Sequence, residues 1–135
     1  MSKNMEQIIT DVLTEKLSPF LIILFGSTVK GNVRQSSDID IAFLSDDKVS
    51  DQYEIFLIAQ ELASKLQRDV DLIDLSQAST VFQAQVVSTG KVIYCTDEHK
   101  RVQFEMKTLK MYTKLNEERS PILKNIEESG TIYEK

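Results

Sequence analysis

The run Phe20-Leu21-Ile22-Ile23-Leu24-Phe25, closed by Pro19 on one side and Gly26 on the other, narrows the fold more than anything else in the chain. It is continuous rather than alternating. As a strand it has no polar face to give to water and must be buried on both sides. It is also the longest apolar run, far short of the ~20 residues that cross a bilayer. A strand covered on both faces needs a packing layer above and another below. The flanking sequence carries helical patterns that supply both.

Upstream, Met5, Ile8, Ile9, Val12 and Leu13 form a helical stripe over 4–16, stopped by Ser18-Pro19. Downstream, Ile39, Ile41 and Phe43 alternate with Asp38, Asp40 and Ala42, the period of a second strand. Residues 46–51 are polar turn sequence. Ile55, Ile58, Leu62 and Leu66 mark a helix over 53–66, and 70–75 is a third strand carrying Asp71 and Asp74. Residues 80–88 read as a short helix capped by Ser79 and ended by Gly90, before a fourth strand over 91–95. A long helix runs from Asp97 to about 118, closed by Ser120-Pro121, and 122–135 reads as a short helix with a loose end. This order predicts an α/β (α+β) fold, a small mixed sheet of about four strands with flanking helices. Residues 1–96 are expected to form the core, and 97–135 a C-terminal helical extension of the same domain.

The 135 residues are 41% hydrophobic with only four glycines and two prolines, which fits one packed core and excludes a loop-dominated chain. Cys95 is the sole cysteine, so neither an internal disulfide nor a four-cysteine zinc site is available. No apolar signal segment opens the sequence. The expectation is a soluble, cytoplasmic protein without a membrane anchor. The net charge of −5 argues against direct binding of nucleic acid. All of that charge lies in residues 1–96, with 8 Lys and Arg against 13 Asp and Glu, while 97–135 balance at 8 and 8. A bound divalent cation would offset part of the excess.

The chemistry sits in Gly26-Ser27, ten residues, then Asp38-Ile39-Asp40. Residues two apart on a strand share a face. Two carboxylates held side by side do not both ionise cheaply unless a positive charge joins them. An all-oxygen pair suits Mg²⁺, with Mn²⁺ as a substitute, better than zinc. Ile39, Ile41 and Phe43 point the other way and anchor the strand. Gly26 lets a ligand approach the backbone, and Ser27 can cap the next turn and leave N–H groups for a phosphate. Lys30 and Arg34 lie in the spacer and can neutralise further phosphate charge. Asp71 and Asp74 are both candidates for a third acid. Their odd separation puts only one on the Asp38/Asp40 side, and parity does not say which. Asp74 reads as a surface strand residue, His99 as solvated, and Cys95 as a small packed residue.

Gly26-Ser27…Asp38-Ile39-Asp40, with its apolar flanks Leu24-Phe25 and Ile41, resembles the signature of the DNA polymerase β-type nucleotidyltransferase superfamily. Val70-Asp71-Leu72-Ile73 resembles the third-carboxylate strand of its small members, which favours Asp71. The resemblance spans residues 20 to 95. It implies that Asp38, Asp40 and Asp71 bind Mg²⁺ and that Asp71 serves as third ligand or base. It also implies that Gly26, Ser27, Lys30 and Arg34 hold ATP. Members often read Ala-Arg-Gly where this chain has Val29-Lys30-Gly31; lysine keeps the charge but loses the bidentate fork. The short chain leaves no room for a substrate domain and is most similar to the minimal MntA-type antitoxins, encoded beside a HEPN-domain RNase toxin. That implies transfer of AMP from ATP to a tyrosine hydroxyl of the toxin. Two alternatives are a module that neutralises the toxin by docking, and a transferase acting on a small molecule such as an antibiotic.

The helix from Asp97 carries a further signal. At ~100° per residue, Lys100, Lys107, Lys110 and Lys114 fall on one side, while seven apolar residues from Val102 to Leu115 spread over roughly 220° of the rest. A helix covering one core needs little more than ~100° of apolar surface. The excess predicts a second contact, a hetero-oligomeric partner interface. The competing reading is that Ile122, Leu123 and Ile126 fold back over it.

Overall fold

A computed structural model describes residues 3–26, 38–46 and 51–128, with the backbone alone for 3 and 118–128. The elements follow in the order α1 (Lys3–Lys16), β1 (Leu21–Phe25), β2 (Ile39–Leu44), α2 (Gln52–Leu66), β3 (Val70–Asp74), a 3₁₀ turn (Leu75–Gln77), α3 (Thr80–Thr89), β4 (Lys91–Cys95) and α4 (Glu98–Glu128). The strands form one mixed sheet in the order β3-β2-β1-β4. β1 is antiparallel to both β2 and β4, while β2 and β3 run parallel, joined through α2. No helix among the described residues is long and apolar enough to cross a membrane.

The apolar run does what its lack of alternation requires. Leu21, Ile22, Ile23 and Leu24 are all buried, and β1 is central in the sheet. Ile22 and Leu24 join Ile39, Ile41, Phe43 and Leu72 beneath α1 and α2, with Ile9, Leu13, Ile58 and Leu62 as helix anchors. Leu21 and Ile23 join Ala42, Leu44 and Leu75 on the opposite face, under Val86 and Phe82 of α3 and Phe104 of α4. Each of these aliphatic side chains contributes about 1.5–3 kcal/mol when fully buried. Two helices therefore seal each face, and the layer order follows from the pattern of the strands.

Local signals set the ends. Ser79 caps α3 by accepting the Phe82 N–H at 3.2 Å. Gly90 ends α3 in extended backbone; a side chain there would meet the Ile23 methyl and the Val86 carbonyl at 2.6 Å, so its role is close approach. One boundary departs from expectation. α4 does not stop at Ser120-Pro121 but continues to Glu128. An internal proline forfeits one backbone hydrogen bond and costs about 3 kcal/mol, which a helix of 31 residues absorbs. Residues 122 to 128 thus extend α4 and do not fold back over it.

Candidate active site

The register of the sheet decides what parity left open. Asp40 lies opposite Asp71 in the parallel β2/β3 pair and opposite Phe25 in the antiparallel β1/β2 pair. Cross-strand partners share a face. Asp40 and Asp71 therefore stand together on the α3/α4 face, at the end of the sheet where β1 finishes. Ile39, Ile41 and Phe43 point into the opposite core, as the alternation predicts. Asp38 is exposed and stands immediately before β2. Burial pushes the Asp40 carboxyl above its ordinary 3.8, and the nearby Asp71 and Asp38 charges push it further. Two neighbouring acids thus act on the Asp40 carboxyl. Among the described residues the three do not close into a ready-made metal cage.

Asp74 goes the other way. It is only 8% exposed. Its carboxylate accepts the Ser76 N–H at 3.1 Å, the Ser76 hydroxyl at 2.7 Å and the Gln77 amide at 3.2 Å. The expectation of a surface strand residue is corrected: Asp74 is a buried cap that starts the 3₁₀ turn. The local sequence Asp74-Leu75-Ser76 carried that signal, since aspartate readily bonds the backbone two residues on.

Gly26 has φ +69, in the left-handed region, and a side chain built on it would collide with the Asp40 carboxylate. Glycine is thus required twice, for the turn out of β1 and for the space beside Asp40. Ser27, Lys30 and Arg34 lie outside the described residues. Beside Gly26 opens a cavity of about 280 Å³, lined by Phe25, Gly26, Phe82, Gln85, Val86 and Thr89. The Phe25 and Phe82 rings meet edge to face, centroids 5.4 Å apart. Sequence reading did not single out this face of α3. The available signal was Gln85 and Thr89 interrupting a helical stripe begun by Phe82 and Val86.

α4 presents two sides. Phe104 and Thr108 pack inward, while Val102, Met106 and Leu109 are exposed, Met106 by 67%. At ~100° per residue these three lie within about 60° of one another, opposite the packed side. Lys100 is not part of a free basic stripe: it pairs with Asp46 and lies 5.5 Å over the Phe20 ring. His99 is exposed and Cys95 packs at the edge of the core, as expected.

The donor set fits a hard divalent cation. It consists of carboxylate oxygens at the ends of two adjacent strands, with one carboxyl raised by burial and then by its acidic neighbours. A glycine beside such a charge, at the exit of a strand, leaves the backbone open to a ligand.

Comparison with known proteins gives the family. The family model described as polymerase beta, nucleotidyltransferase matches residues 7–99. The protein adenylyltransferase MntA of Shewanella oneidensis is 44% identical over 106 residues, which cover 78% of this chain and 75% of that protein. A crystal structure of a toxin-antitoxin with AMP-PNP superposes with a TM-score of 0.80 at 41% identity, covering 90% of this chain and 97% of that one. A complex of tri-AMPylated S. oneidensis HEPN toxin with an MNT antitoxin gives 0.78 at 38% identity, covering 93% and 98%. The chain is a nucleotidyltransferase and belongs to the polymerase β nucleotidyltransferase family.

Proposed function

We propose that this chain is an antitoxin that transfers AMP from ATP to a tyrosine hydroxyl of a HEPN-domain RNase toxin. The carrying observation is Asp40 held opposite Asp71, with Gly26 against its carboxylate, in a chain 44% identical to a protein adenylyltransferase. The related complexes, one with AMP-PNP and one with an AMPylated HEPN toxin, support the same substrates here.

In this reading Asp38, Asp40 and Asp71 hold Mg²⁺. When bound, the ion supplies positive charge to the phosphate oxygens as the transfer proceeds. Gly26, Ser27, Lys30 and Arg34 hold the triphosphate. The acceptor oxygen attacks the α-phosphorus, the bond to the bridging oxygen breaks, and pyrophosphate leaves. Asp71 takes the acceptor proton or completes the ligand set. Rigid strands hold Asp40 and Asp71, so little reorganisation accompanies the reaction.

The exposed stripe Val102, Met106 and Leu109 of α4 is the toxin-docking face in this reading. It also supports the second reading, neutralisation by docking with little catalysis. One experiment separates them. The chain is co-expressed with its HEPN partner, and the partner's intact mass is measured, with Asp38→Asn/Asp40→Asn as control. Added AMP units that vanish in the control support transfer. Co-purification without added mass supports docking, and the absence of both added mass and co-purification reopens the small-molecule substrate.

A further inference from the structure

The outer side of α2 has no part in the reading above. Ile55, Ile58 and Leu62 bury the inner side of the helix. Tyr53, Phe56 and Leu57 stand opposite them, within about 100° of one another. Tyr53 is 67% exposed and Phe56 55%, so two aromatic rings and a leucine face solvent side by side. Asp51 and Glu54 frame this patch, and both are exposed. Asp51 is the N-cap of α2, yet its side chain makes no capping hydrogen bond. Neither acid forms an ion pair among the described residues. From 51 to 64 the sequence holds Asp51, Glu54 and Glu61 and no lysine or arginine.

A contiguous exposed apolar patch marks a docking surface, and its frame selects what docks. Carboxylates repel RNA and an anionic lipid surface alike. A second copy docking through the same patch would bring more acids and no base. The complement is a basic surface with places for rings. The partner proposed above is an RNase, and a groove that tracks single-stranded RNA is positively charged and lined for stacking. Tyr53 and Phe56 offer rings as bases do, while Asp51 and Glu54 offer negative charge as phosphates do. From these rings and unpaired carboxylates, we infer that the N-terminal half of α2 docks in the RNA-binding groove of the RNase and excludes its substrate. The inference rests on the antitoxin reading. α2 covers the side of the sheet opposite Asp40 and Asp71. A toxin seated here is therefore not the one that α4 presents to those acids, and the blockade needs no AMP transfer.

The test mixes the whole chain with unmodified HEPN toxin and a labelled RNA oligonucleotide, without ATP, and measures initial cleavage rates. The wild type should raise the KM for RNA and leave kcat unchanged, because the two compete for one groove. Glu54→Lys with Phe56→Ser should weaken this inhibition at least about tenfold, the scale of losing one anchor residue. Asp51→Asn with Glu54→Gln keeps the shape and removes the charge; it should weaken inhibition less and reduce its dependence on salt. Circular dichroism melting checks that both variants fold. A wild type that does not inhibit without ATP overturns the inference. So does inhibition that lowers kcat at unchanged KM, or that survives in Glu54→Lys with Phe56→Ser. A partner that cleaves no RNA overturns it as well. Adding ATP reads the other activity on the same samples: a toxin that gains no AMP overturns the transfer reading and leaves the docking result standing.

Discussion

The two ends of β3 hold the same residue in opposite circumstances. Asp71 is exposed, stands opposite Asp40, and helps to hold that carboxyl above its ordinary value. Asp74 is buried, and its carboxylate is satisfied by two backbone or side-chain groups of Ser76 and one of Gln77. A carboxylate given hydrogen-bond donors is structural. A carboxylate left among other carboxylates at the end of a sheet costs stability unless a ligand brings positive charge. The fold uses one aspartate to stabilise itself and spends stability on the other.

The sharpest way to break this contrast is Asp40→Asn. On the transfer reading it should lower nucleotidyl transfer on the order of 10³-fold, the several kcal/mol a metal-held phosphate is worth. The fold should not weaken, because a crowded charge is removed. The same residue gives a pH signature. Asp40 binds its proton more tightly in the folded chain, so just above the ordinary 3.8 the native state holds more protons than the unfolded one. Stability therefore falls as pH rises through that window and stays lower above it. Mg²⁺ should restore it at pH 7 and do less at pH 4, as read by thermal melts. Asp40→Asn should lose both the pH step and most of the Mg²⁺ response.

Asp74→Ala should do the reverse. Losing a buried cap and its three hydrogen bonds costs about 0.5–2 kcal/mol. Urea unfolding should show this loss, with transfer per folded molecule retained. If Asp74→Ala abolished transfer at full stability, the division between the two aspartates would be wrong.

α4 repeats the contrast on one helix. Thr108 is buried at 3% exposure while its neighbour Leu109 is 42% exposed. If the proposed docking face is right, Met106→Glu with Leu109→Glu should weaken toxin binding at least about tenfold while shifting stability by no more than roughly 0.5 kcal/mol per site, as surface changes do. Calorimetric titration with the purified toxin and a melt of the free chain give the two readings. Unchanged binding would remove this stripe from the interface.

These contrasts mark where sequence stops being informative. The strands and helices were legible because a continuous apolar run, a period-2 run and helical stripes each admit few structures. The choice between Asp71 and Asp74 was not. Alternation gives relative faces along one strand, and only the β2/β3 register shows which of them meets Asp40. The resemblance at Val70-Asp71-Leu72-Ile73 had pointed to the same residue. The cavity was invisible because its walls come from the end of β1 and a face of α3, joined only by tertiary packing. The end of α4 is hidden by Pro121, a stop signal that a long helix overrides because it tolerates the loss of one bond.

The smallest expected effect concerns two left-handed residues, one on each side of the same contrast. Gly26 and Gln67 have φ +69 and +61. Gln67 ends α2, its N–H bonding the Ala63 carbonyl at 2.8 Å, and it is exposed. Gly26 abuts the Asp40 carboxylate. Gln67→Gly removes only left-handed strain and should raise stability by about 0.5–1 kcal/mol without touching transfer. Gly26→Ala adds that strain and drives a methyl into Asp40, so its cost should exceed the Gln67 gain and fall on transfer as well. Urea unfolding of both variants, with transfer measured on each, tests the pair. Equal and opposite stability changes with transfer intact in both would mean that Gly26 is needed for its backbone alone. A transfer defect confined to Gly26→Ala would show that the open space beside Asp40 is itself part of the site.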